Sequence, residues 1–373
     1  MHTEVCDLLR VEFPIFAFSH CRDVVAAVSR AGGFGVLGAL GFDPDELEIE
    51  LRWIDEHTDG RPYGVDIVIP QEGAPLGGGD RLARVPDPIS QVPREHLAFA
   101  QEILDRHAVP ELPAQVGSPR MSGWTRSAAE RQVEVSMRHD RVRLIASALG
   151  TPPPELVEEI QGEGRKVAAL AGSLRHAVAH RDAGVDLIIA QGTESAAHTG
   201  DIASLVLWPQ VVEAVAPVPV LAAGGVVGGA QILSALALGA QGVWTGSLWL
   251  TVEEAGLEPV ERDRLLAAKS TDTIRTRSYT GKPNRVLRNE WTRAWAQPEA
   301  PDLLPMPLQG LVSAEAIARS RRYPSRSQAV AIHSVGQGVG MMREVLSCRE
   351  QVQRLVEEYC DAAERVISLY RGE

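Results

Sequence analysis

The stretch Pro219-Val220-Leu221-Ala222-Ala223-Gly224-Gly225-Val226 decides the fold of this 373-residue chain. It is an apolar run that ends in two glycines, which is typical of a buried parallel strand opening into a tight turn. A helix-like segment over residues 230–238 follows, and then a second run of the same form, Gly242-Val243-Trp244-Thr245-Gly246-Ser247. The pattern predicts a β-turn-α-β unit with glycine at the carboxyl end of both strands.

Strand-like apolar runs recur along the whole chain. There are eight, at residues 14–18, 35–39, 63–69, 142–148, 166–171, 186–190, 218–223 and 242–246. Several of the gaps between them have the spacing of apolar residues that a helix needs. Alternating strands and helices imply parallel pairing through right-handed crossovers, and eight such units close into a barrel. The predicted fold is therefore a (β/α)8 TIM barrel of the α/β class.

Two segments depart from this regular alternation. Residues 71–141 are far longer than an ordinary connection and contain predicted helices at 94–107 and 125–138, so they are expected to form a helical insertion after the third strand. The final amphipathic helix, over 349–369, is expected to pack against the barrel or against a second subunit of a homodimer. The predicted domains are a barrel over residues 1–270 and a partly helical extension over 271–373.

Charge and composition narrow the classes of partner. Lys and Arg total 37 against 49 Asp and Glu, which gives a net charge of −12 without the basic block that nucleic-acid binding needs. The amino-terminal residues lack a signal-peptide pattern, and no apolar run approaches a membrane span. The four cysteines include no C-x-x-C pair. We expect a cytoplasmic protein that binds neither nucleic acid nor membranes, and we predict no metal site.

The two glycine turns indicate an anion site. In TIM barrels the loops after strands seven and eight commonly bind phosphate, because backbone N–H groups and a helix N-terminus converge there. A side chain at Gly224, Gly225 or Gly246 would hold the anion away. Each glycine alone is equally well explained by a tight turn, but two such turns on consecutive strands favour a phosphate site.

The candidate for chemistry is His198, which lies in the stretch Ala190-Gln191-Gly192-Thr193-Glu194-Ser195-Ala196-Ala197-His198 after the sixth predicted strand. Catalytic groups of TIM barrels project from strand ends on this face. A histidine titrates near neutral pH, so His198 is suited to accept a proton from a substrate. Its position alone equally allows a histidine that only hydrogen-bonds the loop.

A competing motif is Gly33-Phe34-Gly35-Val36-Leu37-Gly38, which matches the dinucleotide fingerprint G-x-G-x-x-G. The fingerprint must follow a strand and open a helix. Here the glycines follow a helix-like segment and run into an apolar strand. The context argues against a Rossmann fold.

Taken as a set, the motifs resemble the nitronate monooxygenase family, which also includes flavin-dependent enoyl-thioester reductases. The residues that carry the resemblance are Ala-Gln-Gly-x-Glu-x-x-x-His at 190–198, Ala-Ala-Gly-Gly-Val at 222–226 and Leu-Gly-Ala-Gln-Gly-Val-x-x-Gly-Ser at 238–247. The likeness extends to residues 31–39, to Tyr63-Gly64-Val65-Asp66 and to Ser278-Tyr279-Thr280-Gly281-Lys282-Pro283.

The resemblance implies an FMN-binding enzyme with a small-molecule substrate. His198 would be the catalytic base or would orient the substrate, and the cofactor would be bound by Asp66, Gln191, Gly192, Gly224, Gly225, Thr245, Gly246 and Ser247. Two reactions stay open. One is the oxidation of nitronates or related acidic carbon compounds with O2, and the other is the reduction of an enoyl or unsaturated acyl-CoA thioester with NADH or NADPH as the electron donor. A flavin-binding barrel without activity is a third alternative. The long insertion favours a substrate larger than a nitroalkane.

Several residues depart from the pattern of the family. Asp66 stands where the family usually has asparagine, and Ala196-Ala197 replaces a pair of glycines before the histidine. His20, in the loop after the first strand, is expected either to enter the active site or to lie on the surface. These changes concern the substrate side and leave FMN binding as expected. A barrel of the inosine-monophosphate-dehydrogenase type is argued against, because no cysteine lies between Cys21 and Cys348.

Overall fold

The computed structural model describes residues 1–69, 88–113 and 125–371. Its strands, numbered in chain order, are β1 (Ile15–Ser19), β2 (Phe34–Gly38), β3 (Tyr63–Ile67), β4 (Val142–Ser147), β5 (Lys166–Ala171), β6 (Leu187–Gln191), β7 (Ala197–His198), β8 (Val220–Ala223), β9 (Gly242–Thr245), β10 (Thr273–Thr276) and β11 (Asn284–Leu287).

The α-helices of the described ranges are numbered in the same way. They are α1 (Glu4–Leu9), α2 (Arg22–Arg30), α3 (Pro44–His57), α4 (Arg94–Arg106), α5 (Arg126–Met137), α6 (Pro154–Gly162), α7 (Leu174–Asp182), α8 (Ser204–Val215), α9 (Gly229–Ala237), α10 (Pro259–Ala267), α11 (Glu290–Ala294), α12 (Leu308–Arg322) and α13 (Cys348–Arg371).

Eight parallel strands close into a barrel in the order β1-β2-β3-β4-β5-β6-β8-β9, with β9 returning to pair with β1. The predicted TIM barrel is confirmed, and each predicted strand lies within two residues of the observed one. The prediction succeeds because strands that are buried on both faces read as continuous apolar runs.

Strand residues alternate between two cores. Ile15 and Ala17 of β1 pack outward into the layer between the strands and the surrounding helices, whereas Phe16 packs inside the barrel. The Phe16 ring lies 5.1 Å from Phe34 and 6.2 Å from Trp244, measured between ring centroids. Helix α1 joins the inner core and so closes the amino end of the barrel.

The dinucleotide-like motif folds as the sequence context predicts. Its central residues form β2, which follows α2 and belongs to the barrel. A Cβ atom on Gly35 would lie 2.2 Å from the carbonyl oxygen of Val25, so glycine is required here by the contact between α2 and β2. The motif therefore serves helix–strand packing.

The two helices of the predicted insertion take different places. Helix α5 contacts α3, β3 and β4, so it is the crossover helix between β3 and β4. Helix α4 packs instead with Trp291, Trp295 and Val312 of the carboxyl-terminal part of the chain. Residues 71–87 and 114–124 of the predicted insertion lie outside the described residues.

The carboxyl-terminal part of the chain adds a small sheet and a long helix. Strands β10, β11 and β7 form an antiparallel sheet above the barrel, and α13 packs on α9 and α2. The domain bounds at 270 and 271 stay a prediction. Among the described helices, none combines the length and the apolar character that crossing a bilayer requires.

Candidate active site

Most of the predicted cofactor residues come together at the carboxyl end of three neighbouring strands, whereas Asp66 lies on β3 and His198 on β7. Strand β6 ends at Gln191, β8 is followed by Gly224 and Gly225, and β9 is followed by Gly246 and Ser247. Because β6, β8 and β9 are consecutive in the barrel, the three turns lie side by side. This is the face on which TIM barrels carry their active sites.

The glycine turns have the geometry of an anion site. Gly224 and Gly225 have φ angles of +111° and +74°, which only glycine adopts readily. A Cβ on Gly246 would meet nothing nearer than Phe18 at 3.9 Å, so open space lies in front of this residue. Within the described residues, no acceptor engages the backbone N–H groups of Gly224, Gly225, Gly246 or Ser247. Such donors fit the phosphate of a flavin nucleotide.

A glutamate that the sequence did not single out for a role supports these turns. The carboxylate of Glu194 accepts hydrogen bonds from the backbone N–H of Ser204, at 2.9 Å, and from its hydroxyl, at 2.7 Å. It therefore stabilises the N-terminus of α8. A Cβ on Gly192 would lie 2.1 Å from Ser204 Oγ, and one on Gly224 would lie 2.4 Å from it. Glycine at 192 is required by this packing.

One expected feature of the phosphate site is different in the structure. Helix α9 follows the first glycine turn, but the backbone N–H of Gly229 donates to Glu358 of α13 at 2.8 Å. The N-terminus of this helix is therefore engaged by a protein carboxylate. The side chain of Gln231 holds the turn itself, since it accepts from the N–H groups of Val227 and Gly228 and donates to the carbonyl of Gly225. An anion would therefore be bound by the backbone N–H groups of the glycine turns and not by the N-terminus of α9.

The segment at residues 336–337, to which the sequence assigned no role, lies against the Ser247 turn and the backbone of Glu194. Gly336 donates its N–H to the hydroxyl of Ser247 at 2.9 Å, and Gln337 donates to the carbonyl of Glu194 at 2.9 Å. A Cβ on Gly336 would lie 2.6 Å from that carbonyl. The repeated glycines at 336, 338 and 340 were the available signal for a close backbone approach.

Side chains alternate between the two faces of each strand, and this places Asp66 and Gln191 on the inner face of the barrel but Thr245 on the outer face. Asp66 and Gln191 alternate with outward-facing neighbours, so they face the inside of the barrel mouth. Thr245 faces outward, where its hydroxyl donates to the carbonyl of Phe16 at 2.7 Å and accepts from the indole of Trp249 at 2.9 Å. The hydroxyl of Thr245 thus belongs to the packing of β9.

Asp66 is buried without a polar partner among the described residues. Burial raises the pKa of this carboxyl group well above its usual range, which favours the protonated form. A protonated carboxyl offers one O–H donor and one carbonyl acceptor. In this form it resembles the asparagine amide of the family in shape and offers both a donor and an acceptor, with one donor hydrogen fewer.

His198 lies on β7, where Ala197 and His198 pair with Arg285 and Asn284 of β11. Its Nδ1 atom lies 3.1 Å from the carbonyl oxygen of Pro283. A carbonyl can only accept, so Nδ1 carries the proton and Nε2 presents a lone pair. Burial lowers the pKa of His198, and the positive charge of Lys282 lowers it further against the hydrogen bond to Pro283. The imidazole is neutral and can accept a proton.

Polar atoms without partners surround this histidine. Thr199 Oγ1 and Asn284 Oδ1 are buried and lack a hydrogen bond within the described part of the chain. Each is adjacent to His198, Thr199 along the chain and Asn284 across the strand pair. Buried polar groups without partners mark places where a ligand completes the hydrogen bonding. The signal was invisible in the sequence, because β11 lies more than 80 residues from His198.

His20 reaches the same mouth from β1. Its Nδ1 donates to the carbonyl of Gly38 at 2.9 Å, and its ring packs edge-on against Phe18 with centroids 5.1 Å apart. Enclosure by the surrounding protein lowers the pKa of His20, and so does the charge of Arg321. Because Gly38 pairs with Asp66 in the barrel, His20 and Asp66 lie on neighbouring positions of the mouth.

Comparison with known proteins identifies the family. The family model described as nitronate monooxygenase matches residues 3–358. This chain belongs to the nitronate monooxygenase family. It is therefore an oxidoreductase, and membership supports a flavin cofactor.

Relatives and solved structures agree with this family. A Mycobacterium tuberculosis protein named as a monooxygenase is 50% identical over 97% of both chains. A Staphylococcus saprophyticus protein named as a nitronate monooxygenase is 31% identical over 78% of this chain and 80% of its own. Nitroalkane oxidase from Streptomyces ansochromogenes superposes with a TM-score of 0.79 at 25% identity, covering 97% of this chain and 99% of that one. FabK from Thermotoga maritima, with a TM-score of 0.75 at 24% identity over 99% of both chains, shares the fold.

Proposed function

We propose that this protein is an FMN-dependent monooxygenase that oxidises alkyl nitronates with O2. The observation that carries the proposal is the fixed tautomer of His198, whose Nδ1 proton is held by the carbonyl of Pro283. This tautomer leaves a lone pair on Nε2, and the adjacent Thr199 and Asn284 have buried polar atoms without hydrogen-bond partners in the described part of the chain. Family membership and the nitroalkane oxidase neighbour support the reaction class.

In this proposal the glycine turns hold the phosphate of FMN. The backbone N–H groups of Gly224, Gly225, Gly246 and Ser247 would donate to it, while Gln191 and the carboxyl group of Asp66 would contact the ring and ribityl parts. FMN, when bound, supplies the electron transfer between substrate and O2.

His198 then handles the proton of the substrate. In a neutral nitroalkane, Nε2 accepts the acidic proton from the carbon next to the nitro group, which leaves a nitronate anion. A nitronate has already lost this proton and its oxygens only accept hydrogen bonds, so the lone pair of Nε2 serves as a base only for the neutral nitroalkane. The ammonium group of Lys282, which lies close enough to lower the pKa of His198, stabilises the negative charge on the nitronate oxygens.

Two measurements test the proposal. The purified protein is expected to show the visible absorption of a flavin, and acid release of the chromophore should yield FMN. Oxygen uptake should begin on adding an alkyl nitronate and should need neither NADH nor NADPH. Anaerobic bleaching of the flavin by NADH or NADPH, with no oxygen uptake on nitronates, would instead identify the thioester reductase. A colourless protein that refuses added FMN would refute both reactions.

A further inference from the structure

A cavity of about 290 Å³ lies apart from the barrel mouth. It is formed by α10, by the residues that follow β11 and by the segment at 328–329. Its lining includes three arginines, Arg264, Arg288 and Arg293, and one acidic residue, Glu290. Strand β11 separates it from the candidate active site, because Asn284 pairs with His198 while Leu287 leads into Arg288. Four residues of extended strand span about 13 Å.

The positive charges of this cavity are not balanced by the chain. Glu290 forms an ion pair with Arg293. Arg264 donates to the backbone carbonyls of Gln328 and Arg288, which carry no charge. In the described part of the chain, no carboxylate forms an ion pair with Arg264 or Arg288, although the whole protein has a net charge of −12. Two guanidinium charges therefore remain uncompensated.

Holding these cations together costs free energy. Burial lowers the pKa of Arg264, Tyr279 opposes this effect, and the like charge of Arg293 lowers the pKa of Arg264 further. The nearby His333 is neutral, since burial and the charge of Arg264 lower its pKa to about 4. A bound anion would remove this repulsion and fill the unused N–H donors.

We propose that the cavity binds a phosphate group, carried either by free phosphate or by a small phosphate ester. Planar guanidinium groups match the oxygens of phosphate with paired, charge-assisted hydrogen bonds. The volume of about 290 Å³ exceeds that of one phosphate ion and lies just below the range for small-molecule sites, which is roughly 300–1,000 Å³. The backbone carbonyls of Gln328 and Arg288 hold the guanidinium group of Arg264 in place, so this donor is oriented before the anion binds.

The test measures binding by isothermal titration calorimetry, with the protein saturated with FMN so that phosphate cannot enter the flavin site. The two probes are inorganic phosphate and adenosine monophosphate. We expect one saturable site per chain for at least one of them, with affinity falling about tenfold in Arg288→Gln, because a charge-assisted hydrogen bond to the anion is lost. Arg106→Gln, on the surface of α4, is the matched control and should bind as the wild type does.

Further variants and the two probes complete the design. Arg288 is exposed and its side chain forms no ion pair, so Arg288→Gln should fold normally; Arg264→Gln gives a second test wherever its unfolding midpoint is unchanged. Preference for inorganic phosphate identifies the free anion, and preference for adenosine monophosphate identifies an ester. Equal binding by the wild type, Arg288→Gln and Arg106→Gln, or no binding of either probe at millimolar concentration, would overturn the proposal. Because the readout is binding, the result is independent of the reaction catalysed at His198.

Discussion

The two ends of the barrel each contain a histidine, and the two residues have opposite surroundings. At the amino end, His139 lies between two carboxylates of α3, with Nδ1 2.6 Å from Asp55 Oδ2 and Nε2 3.3 Å from Glu48 Oε2. At the carboxyl end, His198 has one backbone partner and a free Nε2. One histidine is fully paired and the other keeps a reactive atom unpaired.

The pKa values of the two histidines move in opposite directions for this reason. Burial alone would lower the pKa of His139, but hydrogen bonds and charge from Asp55 and Glu48 outweigh it and raise the pKa. At His198, burial and Lys282 outweigh the backbone hydrogen bond and lower the pKa. The hydrogen bonds of His139 stabilise the amino end of the barrel, whereas His198 at the carboxyl end keeps one nitrogen available for a substrate.

The largest effect is expected from removing the imidazole of His198 at the carboxyl end of the barrel. We expect His198→Ala to lower kcat/KM on neutral nitroalkanes by about 100-fold or more, because a positioned base typically contributes 10²–10⁴-fold. Its free energy of unfolding should stay close to that of the wild type, since only one hydrogen bond is lost. Steady-state oxygen uptake and chemical denaturation measure the two quantities. His2→Ala, on the exposed amino-terminal segment, serves as the control; activity in His198→Ala within threefold of it would contradict the assignment.

At the amino end the expected loss is in stability. His139→Leu should reduce the free energy of unfolding by about 2 kcal/mol, since it deletes two hydrogen bonds to carboxylates in a mostly buried setting. kcat/KM should be unchanged, because the residue lies at the other end of the barrel. Urea denaturation followed by circular dichroism measures the effect, and a large loss of activity in a folded variant would show that the two ends are coupled.

The raised pKa of His139 also predicts a pH dependence. Its stabilising contribution is complete below the unfolded pKa of about 6.5 and is lost as pH rises through the higher folded value. The wild type should therefore lose stability on the alkaline side of pH 6.5, and this part of the slope should be absent in His139→Leu. The same slope in both proteins would assign the pH dependence to other groups.

A third substitution, Gly246→Ala, is expected to weaken FMN binding at the carboxyl end without changing the stability of the fold. Gly246→Ala should fold with an unchanged unfolding midpoint, because the new methyl group would meet only Phe18 at 3.9 Å. It should weaken FMN binding about tenfold, which corresponds to roughly one hydrogen bond to the phosphate. Gly41→Ala makes the same change where a Cβ would have no neighbour within 4 Å. Equal FMN affinity in both variants, measured by fluorescence quenching, would remove Gly246 from the phosphate site.

The sequence predicted local features well and long-range contacts poorly. The strands and the turns at 224–225 and 246–247 were readable, because buried apolar runs and glycines at their ends are local signals. Three contacts could not be predicted from the sequence. They are the hydrogen bond between His198 and the carbonyl of Pro283, the one from Gly229 to Glu358, and the one from Gly336 to Ser247. Each joins residues between 85 and 129 positions apart in the chain. The same limit hid the carboxylates around His139 and the outward orientation of Thr245.

The smallest expected effect concerns the charge beside His198. When a neutral nitroalkane is the substrate, the neutral imidazole is the active form, so kcat/KM should fall at acid pH as His198 becomes protonated. Lysine to methionine at 282 keeps the length of the side chain and removes the charge that opposes this protonation. The acid limb of the pH profile should therefore move to higher pH in Lys282→Met and stay in place in Lys282→Arg. If both variants lose activity equally without any shift of the limb, Lys282 acts through contacts with the substrate, and burial alone keeps His198 neutral.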